Sequence, residues 1–597
     1  MKQFIICVIF ISSALLLNAQ TKTLIKTTDE IVDKSTIDNI IEKRIGIVRY
    51  ELISIDTDAI LNEKAVLEIF GYRLTVYEKK LKIRGLKNYS WFAKSANDES
   101  SFILTVLNDD IQGMLKSPQG MFIIETINSH IIIRQVEQSL YGTCVNDFND
   151  KLLQKQPLKI NNQINDVNSK NNPPVPCKLR IIALYTQAAE DGASNIVNTI
   201  QLANDQMNMA FMNSDINEEV ELVYIGKTNY TESNTSTTSG AVNATEDVTN
   251  FRTPFDGFID GVQTLRNTYD ADICVLIEDI VQGSNWWESA CGVAASVKSS
   301  SQLGFCVVDW ECAVDNITYA HEIGHLIGCR HDEFADPNNV PFSFGHGFTN
   351  PVEGFRTIMA FNSACLDVGA TCDREVHFSN PNINFGGNPT GTTGTNDNAR
   401  VIEQQFDNVM SFRQPNSLVN VDSDDLTLIP IDEGNIVSLN NINTINNVVV
   451  LTEKSLQFTA GNSIKLTPGF TVQREANFKA VIAEVTTCGE LDELDSDFDI
   501  AGEGDNGFDR KVNNIAITYF PNPVIDNLTL TIKGVAVQEE ILIEVYSFKG
   551  QLLQQRIIVV NDDIIIEQVS LGNLSNGTFF ITITMGSKIK TFKIIKL

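Results

Sequence analysis

Histidine is scarce in this chain, six in 597 residues, so a cluster of them carries information. Basic residues are also in short supply, 45 Lys and Arg against 75 Asp and Glu. The resulting net charge of −30 excludes the phosphate-neutralising surface that a nucleic-acid or anionic-membrane partner needs, and it favours solubility. Beyond the first residues no run is long and apolar enough for a spanning helix, so no transmembrane segment is expected in the mature chain. The apolar stretch from Phe4 to Leu17 follows Lys2 and precedes the small residue Ala19. It is shorter than the ~20 residues of a membrane span, and it reads as a signal peptide over residues 1–19. A chain of this length cannot be built on one core and implies roughly three to five domains.

Three of the six histidines stand within one short run, His321-Glu322-Ile323-Gly324-His325-Leu326-Ile327-Gly328-Cys329-Arg330-His331. His321 and His325 are about one helical turn apart, so both imidazoles project from one face and can grip one zinc ion. Gly328 can end the helix without a Cβ penalty, and the released chain can bring His331 back as a third ligand. Three neutral ligands leave one coordination position open, as a catalytic zinc requires. They also leave the ion its full charge, which can lower the pKa of water towards about 7. Glu322 follows a ligand directly and is placed as the general base that takes the water's proton and returns it to the leaving amine.

The run resembles the metzincin signature H-E-x-x-H-x-x-G-x-x-H, and Arg356-Thr357-Ile358-Met359-Ala360-Phe361 resembles the Met-turn of that clan, with Met359 beneath the metal. Asp332, directly after the third histidine, is similar to the reprolysin branch, where an aspartate supports the ligand segment. Closer still is the pattern of bacterial reprolysin-like and peptidyl-Asp metallopeptidases, in Phe344-Gly345-His346-Gly347-Phe348, Phe355 to Phe361, and Phe378-Ser379-Asn380-Pro381. Where astacins and serralysins carry tyrosine two residues after the methionine, this chain has Phe361, so no phenol can act from there. His346 and His377 read as structural or supporting rather than ligating.

Ten cysteines remain once Cys7 leaves with the signal. Eight lie between Cys177 and Cys372 (Cys177, Cys274, Cys291, Cys306, Cys312, Cys329, Cys365 and Cys372) and in an exported protein read mainly as disulfides, with the pairing open. Cys365 and Cys372 can close a short loop beside the site, and Cys274, in an apolar strand, is the best candidate for a buried thiol. Cys144 stands just upstream and could cap the zinc as a thiolate. The alternative for Cys144 is a structural or disulfide-bonded cysteine.

Alternation in Ser101 to Leu107 and Gly120 to Glu125 makes residues 20–150 mostly β; standing before a protease domain in an exported chain, they are expected to be a propeptide, and 151–176, rich in Asn, Lys and Pro, a linker suited to activation cleavage. From 177 to 415 strands and helices alternate as in the upper part of a metzincin: strands at Arg180 to Tyr185, Val220 to Tyr224 and Ala271 to Ile277, helices at Asn195 to Met212 and Gly257 to Tyr269. Cys291 to Val297 is expected as the cleft's edge strand, on which an extended substrate can pair. Residues 430–485 resemble the small β-stack modules of Bacteroidetes-type exported proteins, and 489–511 form an acidic linker whose composition fits a solvated spacer better than a calcium site. Residues 516–597, with Tyr519-Phe520-Pro521-Asn522-Pro523 and the terminal Lys588 to Leu597 strand, resemble the β-sandwich sorting domain of type IX secretion cargo.

The expectation is therefore a multi-domain protein: an α+β metzincin catalytic domain with a twisted sheet, long helices and a Met-turn, flanked by a mostly β propeptide and a C-terminal β-sandwich. Its function would be that of a zinc endopeptidase, exported through the periplasm and across the outer membrane by the secretion machinery, acting on protein or peptide substrates. A zinc-containing surface-binding protein with little turnover is the competing class, and the intact Glu322 argues against it. The peptidyl-Asp resemblance implies cleavage before aspartate, with Arg356, Arg374 or Arg400 as the cation that receives the carboxylate; the alternative is that all three are structural or surface arginines.

Overall fold

The computed structural model describes residues 22–597 apart from 29–33, 62–63, 145–177, 234–239, 281–289, 422–430, 486–515, 521–526, 534–539, 548–551, 560–563, 575–576, 586–587 and single residues 86, 453, 475, 484, 573 and 597. The signal peptide, the linker and the acidic spacer expected from the sequence lie outside the described residues. The chain divides into two compact units, residues 1–492 and 493–597.

Nine strands from Lys22–Thr27 to His130–Val136 close into a barrel. Most neighbours are antiparallel hairpins, and the barrel closes where Lys22–Thr27 runs parallel to Lys64–Ile69. The strand Ser101–Leu107 is apolar at nearly every position because both of its faces are covered. Phe102 and Leu104 point into the barrel core with Trp91 and Phe122, whereas Ile103 joins the core of the following domain. A sheet face that would meet solvent in an isolated barrel is thus spent on docking.

The second core is built on a sheet in the order Thr143–Cys144, Ala290–Ala294, Phe305–Asp309, Ile273–Glu278, Leu179–Tyr185, Val220–Lys227, Ile431–Ser438, Ser455–Ala460, Asn477–Ile482. Helix Ile196–Asn213, capped by the Asn195 side chain, is buried on almost every side, between this sheet and the barrel. This is why it tolerates Asp205 in its interior: barrel residues Arg84 and Lys82 pair with that carboxylate. The expected helix at 257–269 is shorter, Gly261–Thr268, because Phe255 and Gly257 take positive φ in a turn before it. A further helix, Gly240–Arg252, was not foreseen; Ala244, Val248 and Phe251 give it one buried stripe.

Of the eight cysteines from 177 to 372, four form disulfides, Cys291–Cys312 and the short loop expected at Cys365–Cys372; Cys274, the expected buried thiol, is reduced, as are Cys306 and Cys329, all three buried among apolar side chains, and Cys177 lies outside the described residues. Two sequence expectations need correction. The strand Ala290–Ala294 is not a free edge, since Thr143–Cys144 pairs with it in parallel. The β-stack is not separate either: Ile431–Ser438 pairs antiparallel with Val220–Lys227, so its parallel rungs extend the same sheet.

In residues 493–597, two antiparallel sheets of three and four strands share one apolar cluster that includes Leu528, Leu530, Val545 and Ile581.

Barrel and second domain are locked by buried charge. Arg134 reaches Glu125 at 2.6 Å and Asp315 at 2.5 Å, and Arg44 reaches Glu125 at 2.5 Å. Burial raises the pKa of Glu125, but the two guanidinium groups more than offset this and hold it at about 2. Breaking such a pair leaves a charge buried and alone, at ~3–5 kcal/mol. Arg134→Ala should therefore lower unfolding stability by about that amount, measured by denaturant titration; a loss under about 1 kcal/mol, the scale of an exposed pair, would show that the network is not what holds the barrel.

Candidate functional site

Helix Thr318–Ile327 carries His321, Glu322 and His325, all buried. It ends at Gly328, whose φ of +133° lies in the region that glycine tolerates. A Cβ there would also meet Phe342 at 3.1 Å. The chain then turns back, and Arg330 and Gly347 exchange backbone hydrogen bonds with residues 345 and 330, which returns His331 to the helix. The three ring Nε2 atoms stand 2.9–3.1 Å from one another.

Two of the three rings are oriented by the backbone. His321 Nδ1 lies 2.8 Å from the Ile358 carbonyl and His325 Nδ1 2.8 Å from the Cys329 carbonyl. A carbonyl accepts only, so each Nδ1 must carry its ring's proton and each Nε2 a lone pair. Burial, with mutual repulsion, lowers the pKa of His321 and His331, and burial lowers His325 to about 4. Neutral rings with lone pairs converging on one point repel one another unless a cation lies between them, so this donor set fits a zinc ion. Cys144 Sγ lies in the same cluster, all four donor atoms within 4.8 Å of one another.

Glu322 is buried beside this cluster. Its Oε2 accepts from the Cys144 thiol at 3.4 Å. Burial raises its pKa to about 8, against the opposing effects of the Cys144 contact and of Arg374. Gly292 makes the room: a Cβ there would lie 2.8 Å from Glu322 Oε1. An isolated glycine within a strand is the sequence signal that marks such a close approach, and Gly292 was missed as a site residue.

The residues expected around the metal also come together. Met359 lies beneath the helix, where a Cβ on Gly324 would meet its Sδ at 2.6 Å. Asp332 Oδ2 accepts from the Phe361 backbone N–H at 2.8 Å, tying the His331 segment to the turn. Phe361 packs its ring on His331, centroids 4.0 Å apart. His346 places Nδ1 2.8 Å from the His331 carbonyl, so it steadies that segment instead of joining the cluster. His377 is buried against Phe385 and is also outside the cluster.

The three candidate arginines separate. Arg400 is exposed and lies over the Phe344 ring. Arg356 and Arg374 are buried and meet at one acceptor, the Ala360 carbonyl, at 2.8 and 3.4 Å. Asn316, unmarked in the sequence, accepts from Arg374 Nη1 at 2.6 Å through its carbonyl and donates through Nδ2 to the Gly142 carbonyl at 3.3 Å.

A twisted sheet over a helix bearing this donor set defines a metallopeptidase with a catalytic zinc. The chain belongs to the metallo-peptidase family M12, whose model matches residues 180–374, while residues 518–597 match the secretion system C-terminal sorting domain. It is similar to a peptidyl-Asp metalloendopeptidase of Xanthomonas campestris pv. campestris, 30% identical over 53% of this chain and 70% of that protein. A second peptidyl-Asp metalloendopeptidase, from Stenotrophomonas maltophilia, is 28% identical over 60% of this chain and 86% of its own length. The solved metalloproteinase-II of Bacteroides fragilis superposes with a TM-score of 0.30 at 12% identity, over 45% of this chain and 81% of that one, too low to bear on the fold. The chain is thus a zinc metalloendopeptidase, and its sorting domain marks it for type IX secretion to the outer membrane or beyond.

Helix propensity alone makes alanine better than glycine at an interior position by about 1 kcal/mol. At Gly324 the contact with Met359 should reverse that sign: Gly324→Ala should destabilise the protein by ~1–3 kcal/mol through overpacking and reduce bound zinc. Thermal unfolding and metal analysis would check this; a variant more stable than wild type would show that Met359 moves aside freely.

Proposed function

We propose that this protein is exported as a latent precursor and, once activated, hydrolyses peptide bonds with Glu322 as general base, on the amino side of aspartate. The observation that carries the reading is the convergence of three imidazole Nε2 atoms beside the Glu322 carboxylate, with Cys144 inside the same cluster. His321, His325 and His331 would hold the zinc. When bound, the ion supplies positive charge that polarises a carbonyl and acidifies water. Glu322 then takes a proton from the attacking water and delivers it to the leaving nitrogen. The aspartate preference follows the names of the relatives, both peptidyl-Asp metalloendopeptidases.

In the precursor the barrel at residues 22–136 acts as propeptide and Cys144 as the inhibitory thiol. Burial and Glu322 push the Cys144 pKa up, so the thiol keeps its proton until a cation arrives. With zinc bound, Cys144 would be a further ligand beside the three histidines, and Glu322 Oε2, its present acceptor, would hold the thiol's proton and so be neutral and idle as a base. Thr143–Cys144 also fills the position beside Ala290–Ala294 where a substrate strand would pair. Activation is cleavage within 151–176, and the two C-terminal sheets form the sorting sandwich.

Glu322→Gln should keep zinc and fold while kcat/KM on an unfolded protein falls ~10²–10⁴-fold; undiminished turnover would remove Glu322 as base. Cys144→Ser, tested as uncleaved full chain, should be more active than the uncleaved parent by at least about tenfold, or ~1.4 kcal/mol of lost capping. Equal latency would assign inhibition to the barrel alone.

A further inference from the structure

Arg374 is a buried cation with no ion-pair partner among the described residues. Its side chain is almost fully covered, yet its acceptors are two neutral carbonyls, Asn316 at 2.6 Å and Ala360 at 3.4 Å. No carboxylate lies within ion-pair distance of it among the described residues. The acids on either side of it in sequence, Asp373 and Glu375, are taken by Lys116 at 3.0 and 3.1 Å. Arg356, its neighbour at Ala360, is likewise satisfied by carbonyls, Cys372 at 3.0 Å and Ala360 at 2.8 Å. Two guanidinium groups therefore share one neutral acceptor, and among the described residues neither is paired with a carboxylate, an arrangement that burial penalises unless an anion is supplied.

The unused hydrogen-bonding capacity has a definite shape. Nη1 is committed to Asn316, but Nε has no partner and Nη2 has only the long contact to Ala360. Nε and Nη2 form one edge of the guanidinium, the pair of parallel N–H groups that a carboxylate engages through both oxygens. The site is also close to the chemistry: the charge of Arg374 is felt at Glu322 and at all three imidazoles. The segment that follows the barrel is hydrogen-bonded beside it. Gln138 Oε1 accepts from the Arg374 backbone N–H at 3.0 Å, and Gly142 accepts from Asn316, the residue whose carbonyl holds Nη1.

We propose that Arg374, backed by Arg356, is the specificity residue that receives the side-chain carboxylate of the substrate aspartate, and that residues 138–144 cover this pocket until they leave. The proposal rests on the zinc-endopeptidase reading. Of the three arginines expected from the sequence, Arg400 is excluded by its exposed position over Phe344. The neutral amide of asparagine has the same shape as the carboxylate but cannot offset the guanidinium charge, so it is the informative competitor.

The test uses the full chain after activation and two peptides that differ only in Asp or Asn after the scissile bond. Wild type should favour Asp by at least about tenfold in kcat/KM. Arg374→Gln should bring the two rates within about threefold of each other with zinc content unchanged, and Arg400→Ala should keep the wild-type ratio. A wild-type ratio retained in Arg374→Gln overturns the assignment, as does a wild type that does not distinguish the peptides. If Arg374→Gln does not fold, product inhibition of wild type decides: peptides beginning with Asp should bind at least about tenfold tighter than those beginning with Asn, and equal binding overturns the proposal. A wild type that cleaves neither peptide nor an unfolded protein sinks the underlying protease reading instead.

Discussion

Three imidazole Nε2 atoms stand about 3 Å from one another, and much of the local structure can be derived from that constraint. Such an arrangement is repulsive, so the chain has to hold it in place by means unrelated to the metal. The Ile358 and Cys329 carbonyls fix two rings by taking their Nδ1 protons. Gly328 permits the reversal that returns His331, and His346 and Asp332 pin the returned segment from both sides. Because Ile358 belongs to the turn that also places Met359 under Gly324, ring orientation and turn packing are one mechanical unit. Preorganisation of this kind lets the site bind a cation without first ordering its ligands.

The same economy explains the barrel. A barrel of this size could be stable on its own core, but this one turns a second apolar face outward and adds Arg134, Lys116 and Arg84, each aimed at a carboxylate of the catalytic domain. Buried ion pairs of this sort contribute little net stability compared with apolar packing, because desolvation offsets most of the attraction. What they do contribute is register. A slide of one residue would bury several charges without partners, so the apolar contact supplies affinity and the charges choose the one position that brings Thr143–Cys144 to Ala290–Ala294.

Local features of the site were legible and long-range ones were not. His321, Glu322, His325, Gly328 and His331 could be read because covalent spacing alone puts them on one helix turn and its return. Met359 and Asp332 were readable through resemblance to relatives with the same local pattern. The short loop closed by Cys365 and Cys372 was legible, but the partners of the other cysteines were not: Cys306 and Cys329 are as buried as Cys291 and Cys312, and only chain geometry separates thiol from disulfide. Arg374 and Arg400 look equivalent as letters, yet one is buried and the other exposed, since the burial of a side chain depends on everything packed around it. The β-stack looked independent because its repeat pattern is, but an exposed edge at Val220–Lys227 offered its first strand a ladder to join.

The position of the described contacts bears on how the proposed latency would end. Cutting the chain between 145 and 177 removes none of the links between barrel and catalytic domain: Arg134 with Asp315, Tyr141 with Asp315, Gln138 with Arg374 and Lys116 with Glu375 all lie outside that segment. On the proposed reading, cleavage would turn a tethered inhibitor into a free one, so the local concentration that held it in place would be lost while the contacts themselves persist. Release would then compete with rebinding: the apolar face that includes Ile103 and Met114 favours rebinding, whereas the charged groups uncovered on release regain water. Arg374 and Asp315 are the clearest cases, since both are poorly solvated while covered. The desolvation that made those contacts weak contributors to stability is thus returned on departure, which makes an interface rich in buried charge easier to vacate than an apolar one of equal area.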